Sequence, residues 1–104
     1  MKKIIEGKRY DTETATQIAY WENSYSHSDF QWIEEELYRT KNGNWFLHGK
    51  GGAASPYSRP VDSNARKSGA ALIPLDADAA KAWLESHDCI TELEEHFSDS
   101  IEDA

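Results

Sequence analysis

"FQWIEEELYRTKNGNWFLHGK", residues 30–50, consists of two aromatic-rich runs separated by Asn42-Gly43. This is the strongest short-range hairpin signal a sequence offers, because both turn residues tolerate the positive φ that a tight reversal needs. A two-residue loop would pair Leu37 with His48 and Tyr38 with Leu47. A three-residue loop, with Gly43 in the left-handed region, pairs Leu37 with Leu47 and Tyr38 with Phe46 instead. The second register joins better side-chain partners and is the one expected. Both runs carry large residues on both faces, so one face of the sheet is expected against helices. The other is expected to be partly covered by aromatics or by the following loop.

Working outward, "KKIIEGKRYDT" reads as a first strand around Ile4 and Ile5, with Gly7 permitting a turn or bulge before Arg9 and Tyr10. Asp11 or Thr12 then caps a predicted helix over "DTETATQIAYWEN", with Glu13 at the positive end of its dipole. Its buried stripe is Ala15, Ile18 and Ala19, edged by Trp21 or Tyr20. "NSYSHSD" is a polar loop. Beyond the hairpin, residues 49–69 are rich in glycine and proline, lack periodicity, and predict a long irregular loop. "AALIPLD" is a short strand, and Asp76 caps a helix over "ADAAKAWLESH" with Ala79, Ala80, Trp83 and Leu84 on one face. Asp88 is expected to cap a last helix, "CITELEEHF", with Ile90, Leu93 and Phe97 inward and Glu92, Glu94 and Glu95 outward. "SDSIEDA" is expected to fray. The expected fold is α+β over residues 1–104, a single domain in which an antiparallel sheet of three to four strands packs with two to three helices. Twelve aromatics predict an aromatic-rich core.

Charge is the most informative part of the composition. Residues 1–75 hold nine acids and ten bases, whereas residues 76–104 hold ten acids against Lys81 alone, so nearly all of the net −8 lies in this acidic helical segment. The 49–69 loop is its basic counterpart, with Lys50, Arg59, Arg66 and Lys67 against Asp62. A one-signed surface steers encounter with an opposite one and repels nucleic-acid backbone, so direct nucleic-acid binding through the segment is not expected. No apolar run long enough to span a membrane occurs, no signal peptide is expected, and the single cysteine, Cys89, cannot form an internal disulfide. A cytoplasmic location without membrane contact is the expectation.

No stretch carries a chemical motif. In "HGKGGAAS" the glycines follow neither the Walker nor the Rossmann spacing, and no helix pattern opens after them, so the run reads as a strand exit with close backbone packing. His87, Cys89 and His96 offer soft ligands at a spacing no common zinc site uses, and His87 reads as an imidazolium at a helix end. His27 with Asp29, or His48 beside the acidic strand, lacks a convergent nucleophile. Cys89 near a helix start reads as a small core residue, not as an activated thiol. Neither a cofactor nor a metal is expected. Glu34, Glu35 and Glu36 alternate across a strand and are expected at an exposed sheet edge, with Arg39 or Lys50 as partners if one face is buried.

The stretches "KIIEGKRYDTETA", "SDFQWIEEELYRTKNGNWFLHGKGGAAS" and "IPLDADAAKAWLE", in this order, resemble a family of small proteins of bacterial mobile elements and phages, from Lys3 to about Glu85. The resemblance implies a setting in which small acidic proteins without catalytic motifs inhibit host defence, and anti-CRISPR proteins are similar in size and charge. It carries over no functional residue. The expected function is therefore that of a non-enzymatic inhibitor of a host defence complex, such as a CRISPR effector in a bacterial cytoplasm. Its acidic side chains Asp76, Asp78, Asp88, Glu92, Glu94, Glu95 and Asp99 would occupy a basic nucleic-acid channel. The alternative is a regulatory or structural module of a mobile element that associates with itself as a homodimer.

Overall fold

The computed structural model describes residues 1–104. Its centre is the predicted hairpin: β4 (Ile33–Arg39) pairs with β5 (Trp45–Gly51), with Leu37 opposite Leu47 and Tyr38 opposite Phe46. Gly43 takes the positive φ the turn requires, +86°, and its amide donates to the Thr40 carbonyl at 2.9 Å. The earlier hairpin pairs β1 (Lys2–Ile5) with β2 (Lys8–Asp11). Here Glu6 and Gly7 both have positive φ, 51° and 78°, as a primed two-residue turn demands.

The predicted helix over residues 11–23 is instead one turn followed by a strand. Asp11 Oδ1 accepts the Glu13 amide at 2.9 Å and the Ala15 amide reaches the Asp11 carbonyl at 3.0 Å, so the capping signal acts. It ends there, because β3 (Thr16–Glu22) pairs with β4. The register shifts between Gln17 and Ala19, a β-bulge. As a result Ile18 and Ala19, neighbours in sequence, both pack on the same core as Trp21. A bulge that turns two consecutive residues inward mimics the spacing of a helical stripe.

β8 (Gly69–Leu75) completes an antiparallel sheet in the order β3-β4-β5-β8. Residues 49–69 are more ordered than the predicted loop: β5 runs on to Gly51, and β6 (Arg59–Pro60) pairs with β7 (Arg66–Lys67). The glycine run does serve close packing. A Cβ on Gly51 would lie 2.6 Å from the Trp32 carbonyl oxygen, and one on Gly52 would lie 2.5 Å from that of Phe30.

Asp76 caps α1 (Ala77–Ser86) as expected, its Oδ1 accepting the Ala79 amide at 2.7 Å. α2 (Ile90–Phe97) starts differently. Asp88 does not cap it but occupies a left-handed φ of 55° in the reversal between the helices, and Cys89 precedes the helix without a side-chain cap. Leu93 and Phe97 pack on the core, whereas Ile90, expected inward, is 63% exposed. A 3-10 turn follows at Ser98–Ser100.

The sheet separates two cores. On the helix side Leu37, Trp45 and Leu47 meet Ala80, Trp83 and Leu84; on the other, Tyr10 of β2 meets Tyr38, Phe46 and Leu72. Half of the ten buried hydrophobics are aromatic, in line with the composition. Arg39 lies over the Trp45 ring, 4.9 Å from its centroid. No helix is long and apolar enough to cross a membrane.

Two substitutions test this packing by urea denaturation. Asp76→Ala should lower stability by about 1 kcal/mol through loss of the cap. Leu37→Ala, at a fully buried position, should lower it by about 3 kcal/mol, both with an unchanged denaturant slope.

Candidate functional site

The acidic segment folds into an exposed helical layer over one face of the sheet. Asp76, Asp78, Asp88, Glu94, Glu95 and Asp99 are exposed and Glu92 is half-buried. They do not form one cluster. Asp76 is engaged as the cap of α1, Asp88 sits at the reversal, and Glu95 lies 3.9 Å from His96. The structure concentrates a different set. Between α1, α2 and the C-terminal residues runs a groove of about 360 Å³ that brings together Glu85, Glu94 and Glu102 around Ile90, Leu93 and Ile101. Of its three carboxylates only Glu94 was anticipated. Glu85 and Glu102 join it because the chain returns after α2 alongside α1. Lys81 is the one cation lining the groove, and its ammonium donates to the Ser100 carbonyl at 3.1 Å. That bond joins α1 to the returning chain.

Beneath this layer lies a row in cross-strand register: Trp21, Glu35, Gly49 and Ala71. Because Gly49 has no side chain, the Tyr57 ring lies across it; an added Cβ would sit 2.0 Å from the ring carbon Cζ. The Tyr57 hydroxyl donates to Glu35 Oε2, and the Trp83 indole N–H donates to Glu35 Oε1 at 2.9 Å. Both carboxylate oxygens are therefore occupied by fixed donors, which suits a structural anchor and not a general base. An adjacent cleft of about 410 Å³, open between Trp21, Tyr57, Arg59 and Ile73, includes Ser58 in its lining, whose Oγ accepts from Arg66 Nε at 2.7 Å.

The Glu34–Glu36 triplet thus lies in an interior strand, not at an exposed edge, and each carboxylate has a partner. Glu36 pairs with His48 at 2.9 Å, and Glu34 with Lys50 at 3.4 Å. Of the two cations anticipated, only Lys50 takes part. His27 does not pair with Asp29, whose carboxylate accepts the Gln31 amide; it meets Glu22 at 3.0 Å and Glu34 at 3.8 Å. His87 packs between Trp21 and Trp83, with ring centroids at 4.4 and 4.5 Å. Burial lowers its pKa against the opposing pull of Glu35 and Asp88, so the neutral imidazole, not the expected imidazolium, is favoured. Burial also pushes the Cys89 thiol up, reinforced by Glu92 and Asp88, as befits an inert core residue. His87, Cys89 and His96 do not converge as ligands.

No protein-family model, no curated protein and no solved structure matches this chain.

The anchor makes stability depend on pH in two directions. Burial, then the bond to Glu35, holds the Tyr57 proton above the ordinary 10.0, so the unfolded chain releases that proton first. Stability should accordingly fall as pH rises beyond about 10. For His87 the unfolded chain takes up its proton first below the ordinary 6.5, so stability should fall as pH drops from there. Denaturation across pH should show Tyr57→Phe flattening the alkaline limb and His87→Gln the acid one. Glu35→Gln, which leaves one donor without an acceptor, should cost about 1–3 kcal/mol at neutral pH.

Proposed function

We propose that this chain is a non-enzymatic binding protein that docks its acidic helical layer on a basic protein surface of the kind that handles nucleic acid. The groove between α1 and α2 carries the reading. Three carboxylates around an apolar lining match lysine and arginine side chains, whose aliphatic stems cover apolar surface while their charged ends seek anions. Lys81 is the one cation in the lining and donates to the neutral Ser100 carbonyl, so three carboxylates against one ammonium leave the groove an excess of two negative charges. The charge balance supports the same reading, with ten acids against one base over residues 76–104. That the partner is a host defence complex, and a CRISPR effector in particular, rests on the resemblance of the sequence stretches alone.

A second reading, self-association, draws on the edge strand β3, which has no neighbour on its outer side, and on the 73% exposed Phe30. Light scattering separates the two, since a monomer at micromolar concentration excludes it.

The docking reading is tested by competition, in which the protein displaces labelled target DNA from a purified CRISPR effector. Reversing Glu85, Glu94 and Glu102 to lysine should weaken inhibition by about a hundredfold, three charges at about 1 kcal/mol each. Reversing Glu92, Glu95 and Asp99, away from the groove, should cost about tenfold or less. Full inhibition by the groove variant would remove the reading.

A further inference from the structure

We propose that Glu22, His27 and Glu34 form a binding site for one divalent transition-metal ion of the zinc class, on the sheet face opposite the helices. Glu22 at the end of β3 and Glu34 at the start of β4 are direct cross-strand partners. Two carboxylates in that relation repel, so the position favours a cation between them. The loop at residues 23–32 delivers one, or a ligand for one: His27 Nε2 lies 3.0 Å from Glu22 Oε2 and 3.8 Å from Glu34 Oε2.

A single ring N–H points in one direction. It satisfies Glu22 and leaves Glu34 Oε2 beyond hydrogen-bond reach. A metal ion takes lone pairs from all three groups at once. In a tetrahedral zinc site with ligands at about 2.0–2.1 Å, neighbouring donor atoms stand about 3.3 Å apart. The two observed separations, 3.0 and 3.8 Å, bracket that value, and all three donors lie within 4.8 Å of one another. Closure on an ion competes with the Tyr20 hydroxyl, which donates to Glu22 Oε2 at 2.9 Å.

The scaffold around the trio is built. Asn23 closes the base of the loop, its Nδ2 donating to the Gln31 carbonyl at 2.8 Å and its Oδ1 accepting the Ile33 amide at 3.1 Å. The Trp32 ring packs on the imidazole with centroids 4.2 Å apart. One imidazole and two carboxylates make a mixed N/O set, which suits zinc-class ions better than calcium or magnesium, whose sites are built from oxygen. His27 and Glu22 keep side-chain exposures of 61% and 44%, leaving room for water as the fourth ligand. Lys50, 3.4 Å from Glu34 Oε1, holds the far oxygen and is a built-in competitor for the carboxylate. Occupied, the site ties the 23–32 loop to the sheet.

Calorimetric titration of the full chain with Zn²⁺ tests this, with Co²⁺ absorption reporting coordination. One ion should bind per chain. His27→Ala and Glu34→Gln should each weaken it by about a hundredfold, the scale at which loss even of outer-shell partners is felt. Lys50→Met, which frees Glu34 from its competitor, should strengthen it several-fold, an effect adventitious surface binding does not predict. His96→Ala, on the helical layer, should leave it unchanged. Circular dichroism establishes that each variant is folded, and the exposed loop position of His27 makes its variant the decisive one. Absence of Zn²⁺ binding at millimolar concentration, or equal affinity in folded His27→Ala, overturns the proposal.

Discussion

The carboxylate of Glu35 is the constraint around which the molecule is arranged. It lies in an interior strand of the sheet, half-buried, and its two oxygens are satisfied by donors remote in sequence, Tyr57 from the β5–β8 connection and Trp83 from α1. A buried charge without such donors carries a heavy desolvation cost, whereas a fully paired one ties its donors to one place. Gly49 is the enabling absence, since any side chain there would push the Tyr57 ring off the sheet. With Trp83 fixed, Ala80 and Leu84 of the same helix seat on Leu37 and Leu47, and the seating of α1 sets where α2 and the returning chain enclose the acidic groove. The position of the acidic groove is thus an outcome of a polar contact on its inner side.

The sheet also sorts charge. Its helix side carries the ten acids of residues 76–104, while the hairpin packed on the other side brings Lys2, Lys3, Lys8 and Arg9. Such a separation orients the molecule as it approaches a charged partner, helices first toward a basic one. Alternation along β4 divides its three glutamates in the same way. Glu35 faces the helices as an anchor; Glu34 and Glu36 face away, where Glu36 meets His48 and Glu34 joins Lys50, His27 and Glu22.

Local signals were legible in the sequence wherever local physics decided the outcome. Asn42-Gly43 and the quality of the Leu37–Leu47 and Tyr38–Phe46 partners were enough for the hairpin register, and Asp76 was readable as a cap. The strand at Thr16–Glu22 was not, because its bulge reproduces a helical spacing and its pairing with β4 is non-local. The position of the Glu34–Glu36 triplet depends on strand order, which no short stretch encodes. The same holds for the sites. The acidity of the C-terminal segment was plain, but the grouping of Glu85 and Glu102 with Glu94 depends on the chain's return past α1, and the meeting of Glu22, His27 and Glu34 on a cross-strand register.

The central claim is that the acidic helical layer is a recognition surface for a basic protein partner. Its most direct test is capture by the tagged chain from a bacterial lysate, with washes of rising ionic strength and mass spectrometry of each fraction. The account predicts recovery of a nucleic-acid-handling complex that is released progressively as salt increases. Recovery of the chain alone, or of a partner whose retention is indifferent to salt, would contradict it.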